Sequence, residues 1–230
     1  MLLQRAAWVL LVAGMLVALP AGAADDDPAS AVVTLKKGDH IIFFGDSLTD
    51  LARGPKGYVS LVRDALQDKH PDFEVKVEPV ATGGHKVTDL LKRVDKDVIA
   101  KKPTIVFIQI GVNDANRGVT PKEFEAQLGE LIAKLETGGA KVVLCTLTSL
   151  GEKHDGSNKI DKKLDELAEV ARKVAKKQQI PLNDLRKAFV AYWKEHNKDN
   201  KDRGILTYDG NHFNQKGMDF VAEQMLKMLK

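Results

Sequence analysis

The 230-residue chain predicts an α/β fold, a three-layer α/β/α sandwich around a flavodoxin-like parallel sheet of about five strands. Three observations carry this expectation. Strand-like and helix-like segments alternate along the chain from about residue 40, the pattern of parallel βαβ units. Thr104 to Ile110 is almost continuously apolar, as a strand covered on both faces must be. Right-handed crossovers between parallel strands then place helices on both sides of the sheet. No internal repeat and no second domain is visible, so residues 37–230 read as one domain.

The stretch before that domain is not read as part of the fold. Met1 to Ala23 holds one charge, Arg5, followed by an apolar run from Ala6 to Leu19 and the small residues Ala21-Gly22-Ala23. The run is about 14 residues, short of the roughly 20 that span a bilayer, so residues 1–23 read as a cleaved signal peptide rather than an anchor. This predicts an exported protein, periplasmic or extracellular, with no membrane anchor after cleavage. Residues 24–36, opening with Asp25-Asp26-Asp27-Pro28, read as a disordered mature N-terminus.

Within the domain, His40-Ile41-Ile42-Phe43-Phe44 is β-branched and aromatic and stops at Gly45-Asp46-Ser47: a short buried strand. A helix follows the loop Leu51–Gly57, with Tyr58, Leu61, Val62, Ala65 and Leu66 on one face, and His70-Pro71 ends it. Phe73 to Val80 alternates like a strand and leads into Gly83-Gly84. Val87 to Ile99 has helical spacing. The apolar strand 104–110 ends in Gly111-Val112-Asn113-Asp114. Thr120-Pro121-Lys122-Glu123 is a helix start, with threonine as cap, proline in the first turn and glutamate closing a capping box. Lys141 to Thr146 is the fourth strand, 149–158 a polar loop, and Lys159 to Gln179 a long amphipathic helix. Ile180 to Asn183 is a short extended piece, Leu185 to His196 a helix, 197–204 a loop. Asn214 caps the last helix, 215–229.

Charge excludes some classes. Lys and Arg total 35 against 32 Asp and Glu, and they are interleaved, as in Lys162-Lys163-Leu164-Asp165-Glu166. That is a solvated helix face, not a stripe for nucleic acid. The single cysteine, Cys145, cannot form an internal disulfide and lies inside an apolar strand, where it reads as a small buried hydrophobe. No cluster with metal-ligand spacing is present, so no metal and no cofactor is expected.

Four points of chemistry remain, and three of them directly follow strands. Parallel strands bring their carboxyl ends to one sheet edge, where ligands of open α/β sheets bind. Ser47 follows the first strand, Gly84 the second and Asn113 the third; Asp209-Gly210-Asn211-His212 precedes the last helix. A serine needs a base to become a nucleophile. His212 has the best case among six histidines, because Asp209 three residues earlier can hold one ring nitrogen and leave the other for the serine. His40, His70, His154 and His196 read as surface residues, while His85 could line the site. Asn113 can offer its amide to an oxyanion, and Gly84 and Ser47 their backbone N–H groups. Taken singly, each feature has an ordinary alternative: a glycine turn, an N-cap, a helix-flanking histidine.

With these blocks in this order, the sequence resembles the SGNH hydrolases, also called the GDSL esterase/lipase family, from about Asp39 to the C-terminus. Gly45-Asp46-Ser47-Leu48 is similar to the family's first block, Gly84 to the second, Gly111-Val112-Asn113-Asp114 to the third and Asp209-x-x-His212 to the last. The resemblance implies a Ser47–His212–Asp209 triad with an oxyanion hole from Ser47, Gly84 and Asn113. It implies an ester hydrolase working through an acyl-enzyme. An O-acyltransferase, a lipase or lysophospholipase, and a non-catalytic binding module on the same scaffold stay open as alternatives. The loops expected to rim the site, 51–57, 115–119 and 149–158, carry Arg53, Lys56, Asn116, Arg117, Glu152, Lys153, His154 and Asp155 and few large apolar groups. A long acyl chain needs an apolar wall, so the expected substrate is a short-acyl, acetyl-type ester of a small molecule or a polysaccharide.

Overall fold

The computed structural model describes residues 31–230. The signal peptide expected over 1–23 lies outside the described residues. Five strands form one parallel sheet: β1 (His40–Gly45), β2 (Lys76–Ala81), β3 (Ile105–Gln109), β4 (Lys141–Cys145) and β5 (Leu182–Asn183), in the order β2-β1-β3-β4-β5. β1 and β3 carry almost no exposed surface because neighbours pair with both edges and helices cover both faces. Their apolar side chains stack across the sheet, with the Phe43 and Phe107 rings 4.8 Å apart.

The helices are α1 (Ser47–Asp50), α2 (Tyr58–Lys69), α3 (Val87–Asp97), α4 (Val112–Asn116), α5 (Pro121–Thr137), α6 (Asp161–Gln178), α7 (Leu185–His196) and α8 (Gln215–Leu226). α3 packs on α5 and α5 on α6, forming one layer. α2 packs on α8, and α7 joins them through Phe189, whose ring lies 5.3 Å from that of Phe220. The capping box at α5 forms as its sequence predicts: the Thr120 hydroxyl accepts from the Glu123 N–H at 3.2 Å, and the Glu123 carboxylate accepts from the Thr120 N–H at 2.9 Å. Asn214 caps α8, accepting from the Gly217 N–H at 3.0 Å. Cys145 is buried, and burial pushes its thiol pKa up.

Four differences from the expected layout have simple causes. Residues 24–30 lie outside the described residues, but the rest of the stretch read as disordered, 31–36, is tied down. Val33 and Leu35 are buried, the Val33 N–H donates to Met228 and the Leu35 N–H to Lys230. The last helix stops at Leu226 rather than Leu229 because the chain end turns to meet this segment. β2 begins at Lys76, not Phe73, since Pro71–Phe73 form a 3₁₀ turn and Glu74 takes a left-handed φ of 54°. His40 and His154 are not free surface residues: His40 Nε2 is 2.7 Å from Glu78 Oε1, and His154 Nε2 is 2.9 Å from the Asn197 carbonyl.

This strand order reverses direction between β1 and β3. The crevice beyond their carboxyl ends is the topological switch point of the sheet. Gly45 pairs with both Ala81 and Gln109, so the segments that leave β1, β2 and β3 do so at one height.

Candidate active site

Ser47 is the first residue of α1, two positions beyond the end of β1. The turn from strand to helix is tight. A Cβ on Gly45 would stand 2.5 Å from both the Gln109 carbonyl oxygen and the Thr49 hydroxyl, so only glycine fits there. Asp46 caps α1, its Oδ1 accepting from the Leu48 N–H at 3.0 Å. Ser47 is half-buried at the crevice.

The segment before α8 brings the other polar groups over the same edge. Ser47 Oγ lies 3.0 Å from His212 Nε2. His212 Nδ1 lies 2.7 Å from Asp209 Oδ2. A carboxylate only accepts, so Nδ1 carries the proton and Nε2 is free to accept from the serine hydroxyl. Asp209 Oδ1 takes two backbone N–H groups, from Asn211 at 2.9 Å and His212 at 2.7 Å, and closes the turn around Gly210 at φ +95°. Burial works against the Asp209 charge, but the His212 ring and these N–H groups together hold its pKa below the usual value. A serine bonded in this way to an oriented imidazole can pass its proton to Nε2 as it attacks a carbonyl.

Gly84 and Asn113 stand beside this chain. A Cβ on neighbouring Gly83 would come within 3.7 Å of Ser47 Cβ. Gly84 itself has φ +77°, and no backbone carbonyl among the described residues takes its N–H. Asn113, in α4, is half-buried and already engaged: its amide nitrogen donates to the His85 carbonyl at 3.0 Å and to Asp46 Oδ2 at 3.2 Å. The amide is thus oriented by two acceptors. His85 therefore contributes its backbone here. Burial, with Arg93 nearby, lowers the pKa of its ring.

Two features of the site lie outside the sequence expectation, and one rim residue takes a specific place. Asp46 is completely buried against Asn113, and burial raises its pKa to about 7, with Asp114 adding to the rise. Tyr208 is 57% exposed, with its ring 5.8 Å from the His212 ring and tilted by only 20°. Arg117, expected on the rim, reaches toward Gly84: its Nη2 would stand 3.3 Å from a Cβ placed there. Of these, Tyr208 had a signal in the sequence, an aromatic residue directly before Asp209.

The expected rim divides. Arg53 turns away to Asp50 and to the Ala81 carbonyl, at 2.6 and 2.8 Å. Glu152 is fully buried, and its carboxylate accepts from three backbone N–H groups. A groove of about 470 Å³ lies between Leu51–Gly57 and Phe213–Met218, with Leu51, Pro55, Phe213 and Met218 giving it an apolar lining. The loop 51–57 is thus less polar as a surface than as a string of letters.

The sequence matches the GDSL-like Lipase/Acylhydrolase family over residues 43–220. An acetylxylan esterase from Geobacillus stearothermophilus is 29% identical over 173 residues, 66% of this chain and 78% of that protein. An arylesterase from Vibrio mimicus is 31% identical over 108 residues, 46% of this chain and 53% of that protein. Among solved structures, the crystal structure of an acetyl xylan esterase, AlAXEase, is similar with a TM-score of 0.78 at 38% identity, over 81% of this chain and 97% of that one. The four blocks fall at the sheet edge of a fold shared with these esterases, and the match covers most of the chain: the protein belongs to the GDSL-like lipase/acylhydrolase family and is a carboxylic ester hydrolase of the GDSL type.

Proposed function

We propose that the protein is an exported serine esterase that removes short acyl groups, acetyl above all, from carbohydrate esters. The observation that carries the mechanism is the continuous path from Ser47 Oγ through the His212 ring to Asp209, at 3.0 and 2.7 Å. His212 Nε2 takes the Ser47 proton while Oγ attacks the ester carbonyl. The oxyanion that forms is held by the N–H groups of Ser47 and Gly84 and by the Asn113 amide, which gives up the longer of its two bonds, that to Asp46. Collapse breaks the bond to the alcohol oxygen, which leaves with the proton from His212. Water, deprotonated by the same imidazole, then attacks the acyl-enzyme and releases the carboxylic acid and Ser47. Asp209 steadies the imidazolium in both steps without taking its proton.

Two observations support a carbohydrate alcohol. Two of the three relatives described above are named for acetylxylan. Tyr208 offers an exposed ring next to His212, the kind of apolar face on which a sugar ring packs. Export rests on the leader-like residues 1–23, with 37–230 as the hydrolase domain; among the described residues no helix is long and apolar enough to cross a membrane. One observation favours a second reading, a lipase-like preference for longer acyl or aryl groups: an apolar groove is lined by Leu51, which directly follows α1, and by Phe213, which directly follows His212. The deciding measurement is release of acetate from acetylated xylan and xylo-oligosaccharides beside a nitrophenyl ester series. Acetate release with no loss of rate at two carbons supports the first reading. Inactivity on every acetylated sugar, with activity on long esters, refutes it.

A further inference from the structure

We propose that Glu152 is a positioning residue that keeps Asp209 and His212 in register with Ser47. This rests on the Ser47–His212–Asp209 reading given above. The segment that delivers Asp209 and His212 runs from the end of α7 to the start of α8, and its only strand-type pairing among the described residues is an isolated bridge from Thr207 to Phe213. Backbone N–H groups buried in such a segment must find acceptors outside regular structure. Glu152 supplies them.

Its carboxylate is fully buried, and three consecutive N–H groups converge on it. Leu206 and Thr207 donate to Oε1 and Ile205 donates to Oε2, each at 2.7 Å. The backbone around Glu152 is woven into the same segment. The Glu152 N–H donates to the Asp202 carbonyl at 2.9 Å, the Glu152 carbonyl accepts from the Asn197 side chain at 2.9 Å, and the Gly151 N–H donates to the Gly210 carbonyl at 2.6 Å. Thr207 continues the link, its hydroxyl accepting from the Gly210 N–H at 3.0 Å. Asp209 and His212 are thus two and five residues from a backbone position pinned by a buried charge.

A buried carboxylate is costly unless its lone pairs are filled, and here backbone dipoles fill them. Glutamine cannot replace it in full. Its single oxygen can serve Leu206 and Thr207, but its amide nitrogen meets the Ile205 N–H donor to donor. The contact that suffers is the 3.0 Å bond between Ser47 and His212, which has little slack. A misplacement of about 1 Å in a catalytic group costs on the order of a hundredfold.

The test compares wild type, Glu152→Gln, Glu152→Ala and His212→Ala, with Leu131→Ala as a control that loses core packing in α5, away from this segment. Each variant is assayed on nitrophenyl acetate below its melting temperature. The readouts are kcat, KM, the rate of fluorophosphonate labelling at Ser47 and the low-field proton resonance of the His212 Nδ1–H. For Glu152→Gln we expect kcat and labelling rate to fall together by about ten- to a hundredfold, KM to stay within roughly twofold, and the resonance to shift or broaden. Leu131→Ala should melt earlier with kcat per folded molecule unchanged. A Glu152→Gln protein that melts earlier yet keeps wild-type kcat, labelling rate and resonance overturns the proposal and leaves Glu152 a stabilising residue. If Glu152→Ala does not fold, Glu152→Gln decides. If His212→Ala is active, the triad reading itself fails; if it is inactive while Glu152→Gln is unchanged, only this inference fails.

Discussion

Asn113 donates its amide to Asp46 across 3.2 Å, tying the segment after β3 to the residue that precedes Ser47. The two residues are 67 positions apart and meet because β1 and β3 are neighbours in register. The second amide hydrogen goes to the His85 carbonyl, so the side chain is oriented before any substrate arrives. In the proposed mechanism an oxyanion at Ser47 competes with Asp46 for one N–H, and that competition arises only once the carbonyl oxygen is charged. Asn113→Ala should therefore lower kcat by about 10² to 10³, or about 2.7–4 kcal/mol, with little change in KM. Steady-state kinetics on nitrophenyl acetate check this. A rise in KM at constant kcat would place Asn113 in ground-state binding instead.

Asp46 has a measurable effect on stability. Burial raises its pKa from 3.8 to about 7 in the folded protein. The folded chain then binds this proton more tightly than the unfolded chain between about pH 4 and pH 7, so the contribution of Asp46 to stability declines as pH rises through that window. Asp114, raised to about 6 by burial, acts in the same direction and remains when Asp46 is removed. The pH dependence of the melting temperature should therefore be flatter in Asp46→Asn than in wild type over this range. Thermal unfolding at several pH values measures the difference, and parallel curves would rule out a buried Asp46 that takes up a proton on folding.

Ser47→Ala should fold normally, since Ser47 is half-buried and adds little to the core. Its activity should fall to what binding and the oxyanion hole sustain alone. A fluorophosphonate should label the wild type once, at Ser47, and leave this variant unlabelled; peptide mapping of the labelled site is the check. His212→Ala should abolish the activity, because the serine then has no base. The same loss in His85→Ala, with His212→Ala active, would move the base to His85.

Much of this architecture is legible in the sequence for one reason: a parallel sheet brings the ends of its strands to one edge. Ser47, Gly84 and Asn113 can be placed there from strand ends alone, and Asp209-x-x-His212 from the turn before the last helix. What could not be read are contacts that depend on how neighbouring segments face each other. Asp46 caps α1 through one oxygen, and its second oxygen meets Asn113 only because of strand register. Glu152 sits in a polar loop expected to rim the site; it is buried because three N–H groups of a distant segment need an acceptor. Val33 and Leu35 did carry a signal, an apolar alternation ahead of the first strand, but the acidic residues before them masked it. α4 has 5 residues and follows Gly111 at φ +122°, too short to show a helical spacing in the sequence.

Acyl length and the alcohol should be read by different residues. A long acyl chain in the groove lined by Leu51, Pro55, Phe213 and Met218 would gain about 0.8 kcal/mol per buried methylene, close to fourfold in kcat/KM for each one. A site selective for acetyl should gain nothing there. We expect kcat/KM to peak at two to four carbons in a nitrophenyl ester series and to fall beyond. A steady rise to ten carbons would assign the groove to acyl chains and make the enzyme lipase-like. Tyr208 tests the other half of the substrate. Its exposed ring lies beside His212, the proposed proton donor to the departing alcohol. Tyr208→Ala should raise KM for an acetylated xylo-oligosaccharide by roughly two- to tenfold, the worth of one aromatic contact, and should change KM for nitrophenyl acetate less. Equal effects on both substrates would mean that the ring supports His212 rather than holding a sugar.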